Sequence, residues 1–379
     1  MKLTLLRNEL NDAIQHVSKA VASRTTIPIL SGIKLEATFS GITLTASDTD
    51  ISIQSFIPLE TATKTIGTVE RTGSVVLTAK FFVEIIKKLP HEEVHIEVGE
   101  RFQTLITSGA TEIQLVGLDP EEFPVLPSIE EDQVVSIPGD LLRDMIRQTV
   151  FAVTTHESTP ILTGVLWNLQ DGVYKFVATD RHRLASRSAT VELYDVRFSN
   201  IVISGKTLNE LAKIVPDQNV MVDIVVSDNQ VLFKLGNVLF YSRMLDGTYP
   251  DTSKIIPQNF KTELVLNTKA LSESIDRAYL LSREEKTNIV RLITTDDGGI
   301  EISSSSSELG KVTEQLRVTE FRGEPLKIAF NSKYMLDVLK VIDSEELFIG
   351  FNGSMSPIII RPNDHENSLH LILPYRTTN

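Results

Sequence analysis

Apolar residues recur along the chain with two periods. At about 100° per residue, Phe82, Ile85, Ile86 and Leu89 make one stripe, Leu208, Leu211, Ala212 and Val215 a second, and Met335, Val338, Leu339 and Ile342 a third. A further set precedes each: Leu10, Ile14 and Val17, then Leu142, Ile146 and Val150, then Leu271, Ile275 and Ala278. Six amphipathic helices are predicted, in three early-late pairs. Between them lie short β-branched runs at 42–46, 94–98, 174–178, 222–226, 231–235 and 358–360, bounded by Gly, Asp, Asn or Pro. These predict strands, and the short connections favour antiparallel pairing. The fold class is α+β.

The late helices also repeat in sequence. Lys80-Phe-Phe-Val-Glu84-Ile-Ile-Lys87, Lys206-Thr-Leu-Asn-Glu210-Leu-Ala-Lys213 and Lys333-Tyr-Met-Leu-Asp337-Val-Leu-Lys340 start 126 and 127 residues apart. Ile27-Pro-Ile-Leu-Ser-Gly32 matches Thr159-Pro-Ile-Leu-Thr-Gly164, and Ala46-Ser-Asp48 matches Ala178-Thr-Asp180. A chain of 379 residues is filled by three copies of such a unit. Three repeated domains follow, each with two helices packed on antiparallel sheets. Pro-rich stretches at 118–127 and 245–257 recur at nearly the same offset, and the boundaries are placed after them, giving domains 1–128, 129–257 and 258–379.

Charge complicates this picture. With 37 Lys and Arg against 50 Asp and Glu, the net charge is −13, which by itself argues against a nucleic-acid binder. Placement answers part of the objection: the rotation that buries each late stripe puts Lys80, Glu84 and Lys87 on the opposite face, and likewise Lys206, Glu210, Lys213 and Lys333, Asp337, Lys340. A net positive face is repeated three times. Arg143 and Arg147 add a pair on the second early helix. For any one helix this pattern is ordinary solvated surface; its recurrence makes the lysines DNA-binding candidates. The absence of Cys and of a long apolar run excludes disulfide frameworks, thiolate sites and a spanning helix, and the short apolar start does not read as a signal peptide, so a cytoplasmic protein is expected.

Catalytic patterns are sparse. His91-Glu-Glu-Val-His95 has the zinc-protease spacing, but it runs into an alternating strand, where the two imidazoles lie about 13 Å apart and cannot share one ion. Ser204-Gly205-Lys206-Thr207 resembles the end of a phosphate loop without its leading glycine, and by the repeat it is a helix start. Ser303 to Ser307 is expected to be a polar strand end or turn. No metal site and no cofactor are predicted.

What remains is the polar cluster Val177-Ala-Thr-Asp-Arg-His-Arg-Leu-Ala185 and the terminal Leu373-Pro-Tyr-Arg376. The cluster resembles the signature of the bacterial sliding clamps, the β subunits of DNA polymerase III. Arg24-Thr-Thr-Ile-Pro-Ile-Leu30, Leu245-Asp-Gly-Thr-Tyr-Pro-Asp251, Phe330-Asn-Ser-Lys-Tyr-Met-Leu-Asp-Val-Leu339 and the terminal segment are similar to the same family, in order and over the full length. The resemblance implies a non-enzymatic, nucleoid-associated processivity factor, a head-to-tail homodimer whose six domains close a ring around double-stranded DNA without reading its sequence. It implies DNA contact by Arg24 and a pocket for partner peptides from the polymerase catalytic subunit, the clamp loader and other clamp-binding proteins. That pocket maps onto Leu162, Thr179, His182, Arg183, Leu184, Pro250 and Ile255 with Asn331, Tyr334, Met355, Ser356, Leu373, Pro374, Tyr375 and Arg376. Leu162, Leu184 and Ile255 could equally be core. A dimer edge is implied around Ile113, meeting Leu280, Leu281, Glu308 and Glu314 of the other chain. Arg181 departs from the small or uncharged residue more familiar in that turn. Two other classes stay open: an enzyme resting on Asp180, His182 and Arg183, and a repeat-built scaffold that never meets DNA.

Overall fold

The computed structural model describes the chain apart from residues 23, 127–128, 130–133, 157, 192–196, 217–219, 285–286 and 377–379. Each copy runs strand, helix and three strands, twice. In the first copy these are β1 (Lys2–Leu6), α1 (Arg7–Val17), β2 (Gly32–Thr38), β3 (Gly41–Ser47) and β4 (Ile51–Pro58), then a short edge strand β5 (Gly67–Arg71), then β6 (Gly73–Thr78), α2 (Ala79–Lys88), β7 (Glu93–Val98), β8 (Gln103–Ser108) and β9 (Thr111–Val116). The second copy has β10 (Val134–Pro138), α3 (Gly139–Arg147), β11 (Gly164–Gln170), β12 (Val173–Thr179) and β13 (Arg183–Thr190), then β14 (Phe198–Ser204), α4 (Gly205–Ile214), β15 (Met221–Val226), β16 (Gln230–Leu235) and β17 (Val238–Arg243). The third has β18 (Thr262–Asn267), α5 (Thr268–Ser282), β19 (Ile289–Thr294), β20 (Ile300–Ser306) and β21 (Gly310–Leu316), then the edge strand β22 (Glu320–Gly323), β23 (Lys327–Asn331), α6 (Ser332–Leu339), β24 (Glu346–Phe351), β25 (Ile358–Pro362) and β26 (Ser368–Ile372).

Every strand pairing among the described residues is antiparallel, and the sheets follow one rule. The last strand of a copy's first half pairs with the last strand of the next copy's second half: β4 with β17, and β13 with β26. An eight-stranded sheet β10-β15-β16-β17-β4-β3-β2-β6 and a nine-stranded sheet β14-β11-β12-β13-β26-β25-β24-β18-β22 result. The remaining sheets are β5-β1-β7-β8-β9 and β21-β20-β19-β23, which end on the two strands the rule leaves without a mate, β9 and β21.

Two compact units emerge, residues 1–140 with 210–244, and residues 141–209 with 245–379. The second copy contributes to both. The expected boundary at 128 lies outside the described residues.

Local sequence explains the elements. β7 alternates exposed and buried side chains along its length, so His95 is on a strand, as its period-two context predicts, and its Nδ1 lies 2.7 Å from Thr4 Oγ1. The predicted helical stripes are largely buried, with Phe82, Ile86, Leu208, Leu211, Met335 and Val338 in the core, while Ile85 and Ala212 are half-buried at its margins. Val150 falls outside its helix: α3 ends at Arg147, and Val150 begins a separate 3-10 turn where Thr149 turns its hydroxyl back onto Met145 O at 2.7 Å. The serine run is a strand end and turn, as expected: Ser303 to Ser306 close β20 and Ser307 opens the turn after it. Its burial is the addition, since Ser303, Ser304 and Ser306 are buried and Ser304 Oγ donates to Ala278 O of α5 at 2.7 Å. A buried hydroxyl is tolerated there because a helix carbonyl accepts it.

His370, in the middle of β26, is fully buried, with its ring 5.7 Å from that of Phe151 and Nε2 3.2 Å from Ser368 Oγ. Burial pushes its pKa down to about 3. The folded chain therefore holds this imidazole neutral, while the unfolded chain takes up a proton below about pH 6.5. Stability present above that pH is lost as the pH falls toward 3, by about 1.4 kcal/mol per unit. Between pH 7 and 5, thermal unfolding should lose about 2 kcal/mol more in the parent than in His370→Leu; equal losses would exclude this origin.

No described helix is long and apolar enough to cross a membrane.

Candidate partner pocket, lysine faces and free sheet edges

β12 and β13 form a hairpin whose turn is Asp180-Arg181-His182. Arg181 has φ +77°, a left-handed conformation uncommon outside Gly, Asn and Asp. Side chains brace it. Asp180 Oδ1 accepts the N–H groups of His182 at 2.9 Å and Arg183 at 3.0 Å, while Thr179 Oγ1 accepts Arg181 N–H at 3.2 Å and donates to Arg183 O at 2.7 Å. Tyr249 anchors it from beneath. Its hydroxyl accepts Thr179 N–H at 3.0 Å and donates to Gly164 O at 3.4 Å, and burial pushes the phenol pKa up. Sequence reasoning quoted the stretch containing Tyr249 without assigning it a role; the signal was Phe123, which fills the same place one repeat earlier and packs on Ile29, Leu30 and Val76 as Tyr249 packs on Leu162 and Val202.

Arg183, which the resemblance maps to the pocket, is engaged within the chain. Its Nε donates to Asp180 Oδ2 at 3.0 Å and Nη1 to Asp337 Oδ2 at 2.7 Å, and its guanidinium lies 4.5 Å from the Tyr334 ring centre and 5.5 Å from that of Phe151. Only 11% of its side chain is exposed. The guanidinium is consumed in holding the wall together. Asp337, expected on the lysine face of α6, is the partner that consumes it.

The chain's end is fastened to the same turn. Leu373 N–H donates to His182 O at 2.8 Å and Tyr375 N–H to Ala329 O at 2.7 Å, which brings Leu373, Pro374, Tyr375 and Arg376 beside the hairpin and β23. Leu373, Tyr375, Met355, Ile255, Pro250 and Arg376 are exposed. Leu162 and Leu184 are not: the first packs on Val202 and Tyr249, the second on Val177, Ile359 and Leu371, so both are floor and core. Asn331 is half-buried and its Oδ1 accepts Lys333 N–H at 2.9 Å and Tyr334 N–H at 3.3 Å, capping α6, so only its amide N–H groups remain to offer a ligand. Ser356 Oγ donates to Asn352 O at 3.2 Å. Most of these exposed side chains are apolar, with Arg376 the charged exception.

Lys80, Lys87, Lys206, Lys213 and Lys333 are exposed on the second helix of their copies, as the stripes predict, Lys340 is exposed just past the end of α6, and Arg24 is exposed in the loop after α1. Glu84 pairs with Lys88 at 2.9 Å, which leaves Lys80 and Lys87 to the face, whereas Glu210 pairs with Lys213 at 2.7 Å. Arg147 departs from expectation. Its guanidinium meets Asp343 at 2.5 Å and Asp144 at 3.3 Å, which raises its pKa and cancels its charge locally, and Arg143 is half-buried.

At the two free edges, Ile113 lies half-buried on β9 with Val116 75% exposed at its end; Leu280 is exposed at the end of α5, Leu281 half-buried, and Leu309 and Glu308 exposed at the β20–β21 turn. Glu314, expected to serve the dimer contact, is held within the chain by Arg277 through two contacts of 2.6 and 2.8 Å, and that pairing lowers its pKa. The apolar groups remain for a partner.

Comparison with known proteins covers all three copies. The chain matches the models of the DNA polymerase III beta subunit N-terminal domain over residues 1–127, its central domain over 136–251 and its C-terminal domain over 253–376. It is 52% identical to the beta sliding clamp of Bacillus subtilis over 377 residues, covering 100% of both chains, and 51% identical to that of Halalkalibacterium halodurans, covering 96% of both. The crystal structure of the Bacillus subtilis sliding clamp superposes with a TM-score of 0.97 over 100% of both chains at 51% identity. The Streptococcus pneumoniae DNA polymerase III beta chain superposes with a TM-score of 0.96 over 99% of this chain and 100% of that one, at 36% identity. With its three copies matched in order along the whole chain, the protein belongs to the DNA polymerase III beta subunit family, the beta sliding clamps.

Proposed function

We propose that two copies of the chain join β9 of one to β21 of the other at both ends, closing a head-to-tail ring that encircles duplex DNA and tethers polymerase and other DNA-processing proteins to it. The observation that carries this is the pairing rule. β4 with β17 and β13 with β26 make continuous sheets across successive copies, and the same step applied once more calls for a β9 that a second chain supplies. Free edges flanked by exposed Val116, Leu280 and Leu309 fit an antiparallel joint with apolar contact on its faces.

The DNA contact is by charge. Duplex DNA carries about one negative charge per 1.7 Å of axis, so flexible lysines repeated on one helix of every copy give contacts that slide along phosphates and ignore base edges. Arg24 would add a contact from its loop. The net charge of −13 is compatible with this because the acids lie elsewhere than on these helix faces, apart from Glu84, Glu210 and Asp337, each of which is paired. Retention comes from ring closure, and no chemical step is assigned to the chain. Polymerase, clamp loader and related partners would seat aliphatic or aromatic peptide anchors among Pro250, Ile255, Met355, Leu373 and Tyr375, beside the braced hairpin turn. The protein would work on the nucleoid in the cytoplasm.

Loading onto nicked circular DNA with a clamp loader tests the ring. Protein that stays bound through a high-salt wash and leaves when the circle is cut supports encirclement. Release by salt alone, or retention on linear DNA, contradicts it; a scaffold that never meets DNA would show neither loading nor release.

A further inference from the structure

A cavity of about 460 Å³ opens beside the hairpin turn, bounded by residues 153–156, Ser158 and Thr159, the turn itself and the start of α6. His156, Arg181, His182 and Lys333 line it, together with threonine and serine hydroxyls. Asp180 is the one acid among its described lining residues, and its oxygens already accept from His182 N–H, Arg183 N–H and Arg183 Nε. Arg183 is committed to Asp180 and Asp337. Arg181 and Lys333 have no ion-pair partner among the described residues. Among the described lining residues, Arg181, Arg183 and Lys333 against Asp180 leave the charge balance positive.

The first copy supplies an internal control for Arg181. Its hairpin turn, Ser47-Asp48-Thr49-Asp50-Ile51, has the same bonds: Asp48 Oδ1 accepts Asp50 N–H at 3.0 Å and Ile51 N–H at 2.9 Å, Ser47 Oγ accepts Thr49 N–H at 3.3 Å, and Thr49 has φ +80°. Arg243 N–H donates to Asp50 O at 2.9 Å, just as Leu373 N–H donates to His182 O. The turn therefore forms with Thr49 and Asp50 where the second copy has Arg181 and His182. The scaffold needs neither side chain, and a long charged side chain at positive φ is held there at some cost in strain.

We propose that this cavity is an anion subsite, with Arg181 its specificity-determining residue, by which the clamp favours partner peptides carrying an Asp or Glu carboxylate next to their apolar anchors. The inference rests on the pocket reading above and names what that pocket selects. Peptide is favoured over DNA phosphate because the cavity shares its wall, His182 and Tyr334, with the apolar mouth formed by the chain's end, so one short ligand can engage both.

Two fluorescent peptides decide it, identical in their apolar anchors but carrying either two acidic residues or their amides beside them. Anisotropy titrations use the full chain and its Arg181→Asn and Arg181→Gly variants, both compatible with positive φ. The parent should bind the acidic peptide about fivefold more tightly, a preference that shrinks as salt rises. Both variants should cut the ratio below twofold while leaving affinity for the amide peptide unchanged. An unaltered ratio, or equal loss for both peptides, overturns the subsite while leaving the pocket. Failure of both peptides to bind the parent overturns the pocket and the subsite together. Displacement of the acidic peptide by a short duplex assigns the cavity to DNA and overturns the proposal.

Discussion

A chain carrying Ile113→Asp and Leu280→Asp should run as a monomer in light-scattering chromatography at concentrations where the parent runs as a dimer. Ile113 stands on the free strand β9 and Leu280 at the end of the helix that packs behind β21. Each apolar side chain buried on association contributes about 2 kcal/mol, so losing two at a joint weakens it by about 4 kcal/mol, close to a thousandfold in Kd. Carboxylates placed in a desolvated seam add a further penalty. Neither side chain is part of the chain's own buried core, so the melting temperature of the monomer should change little. A variant that stays dimeric would show that these edges are not the joint. One that unfolds would show that the side chains serve the fold.

The second large effect is expected at Arg183. Its removal leaves Asp180 and Asp337, 11% and 22% exposed, without their cation, and breaking such a part-buried network by deleting one member costs about 3 kcal/mol. Arg183→Ala should lower the thermal transition of residues 141–209 and 245–379 by about 6–12 °C. Arg183→Met combined with Asp337→Leu should lose less than the single change, because Asp180 keeps two backbone donors and no second carboxylate is stranded. Arg183→Lys should restore only part, since an ammonium cannot reach two carboxylates in the fork geometry. A loss under about 1 kcal/mol for Arg183→Ala would reduce the network to a surface ion pair.

The contrast between these two regions shows what the sequence carries. The helices and strands were legible because burial imposes its period on the residues, and the repeat was legible because three copies share a spacing. Val150 departs from its predicted helix where a side-chain hydroxyl competes for the backbone, Thr149 Oγ1 bonding Met145 O as α3 ends, while the serine run is the expected strand end whose burial, made possible by Ala278 O, no local pattern shows. β5 and β22 were missed because short edge strands with exposed side chains have no alternation to display. The hairpin turn was visible as a dense polar cluster, but its chemistry was not. Asp337 reaches Arg183 across 154 positions of sequence, and Asp343 reaches Arg147 across 196, distances over which no local pattern signals pairing. Family resemblance placed Leu162 and Leu184 near the pocket without telling floor from mouth. Packing makes that distinction.

Joints made of backbone hydrogen bonds have a consequence for how such a chain can change. β4 meets β17 and β13 meets β26 through amides and carbonyls that every residue but proline supplies, so the register survives replacement of outward side chains. Mutation is then free to rewrite the loops hung on those seams one copy at a time, which is how one hairpin can hold an aspartate in the first copy and a histidine beside an arginine in the second. Lineages could exchange recognition chemistry at such mounts while the architecture beneath stays fixed.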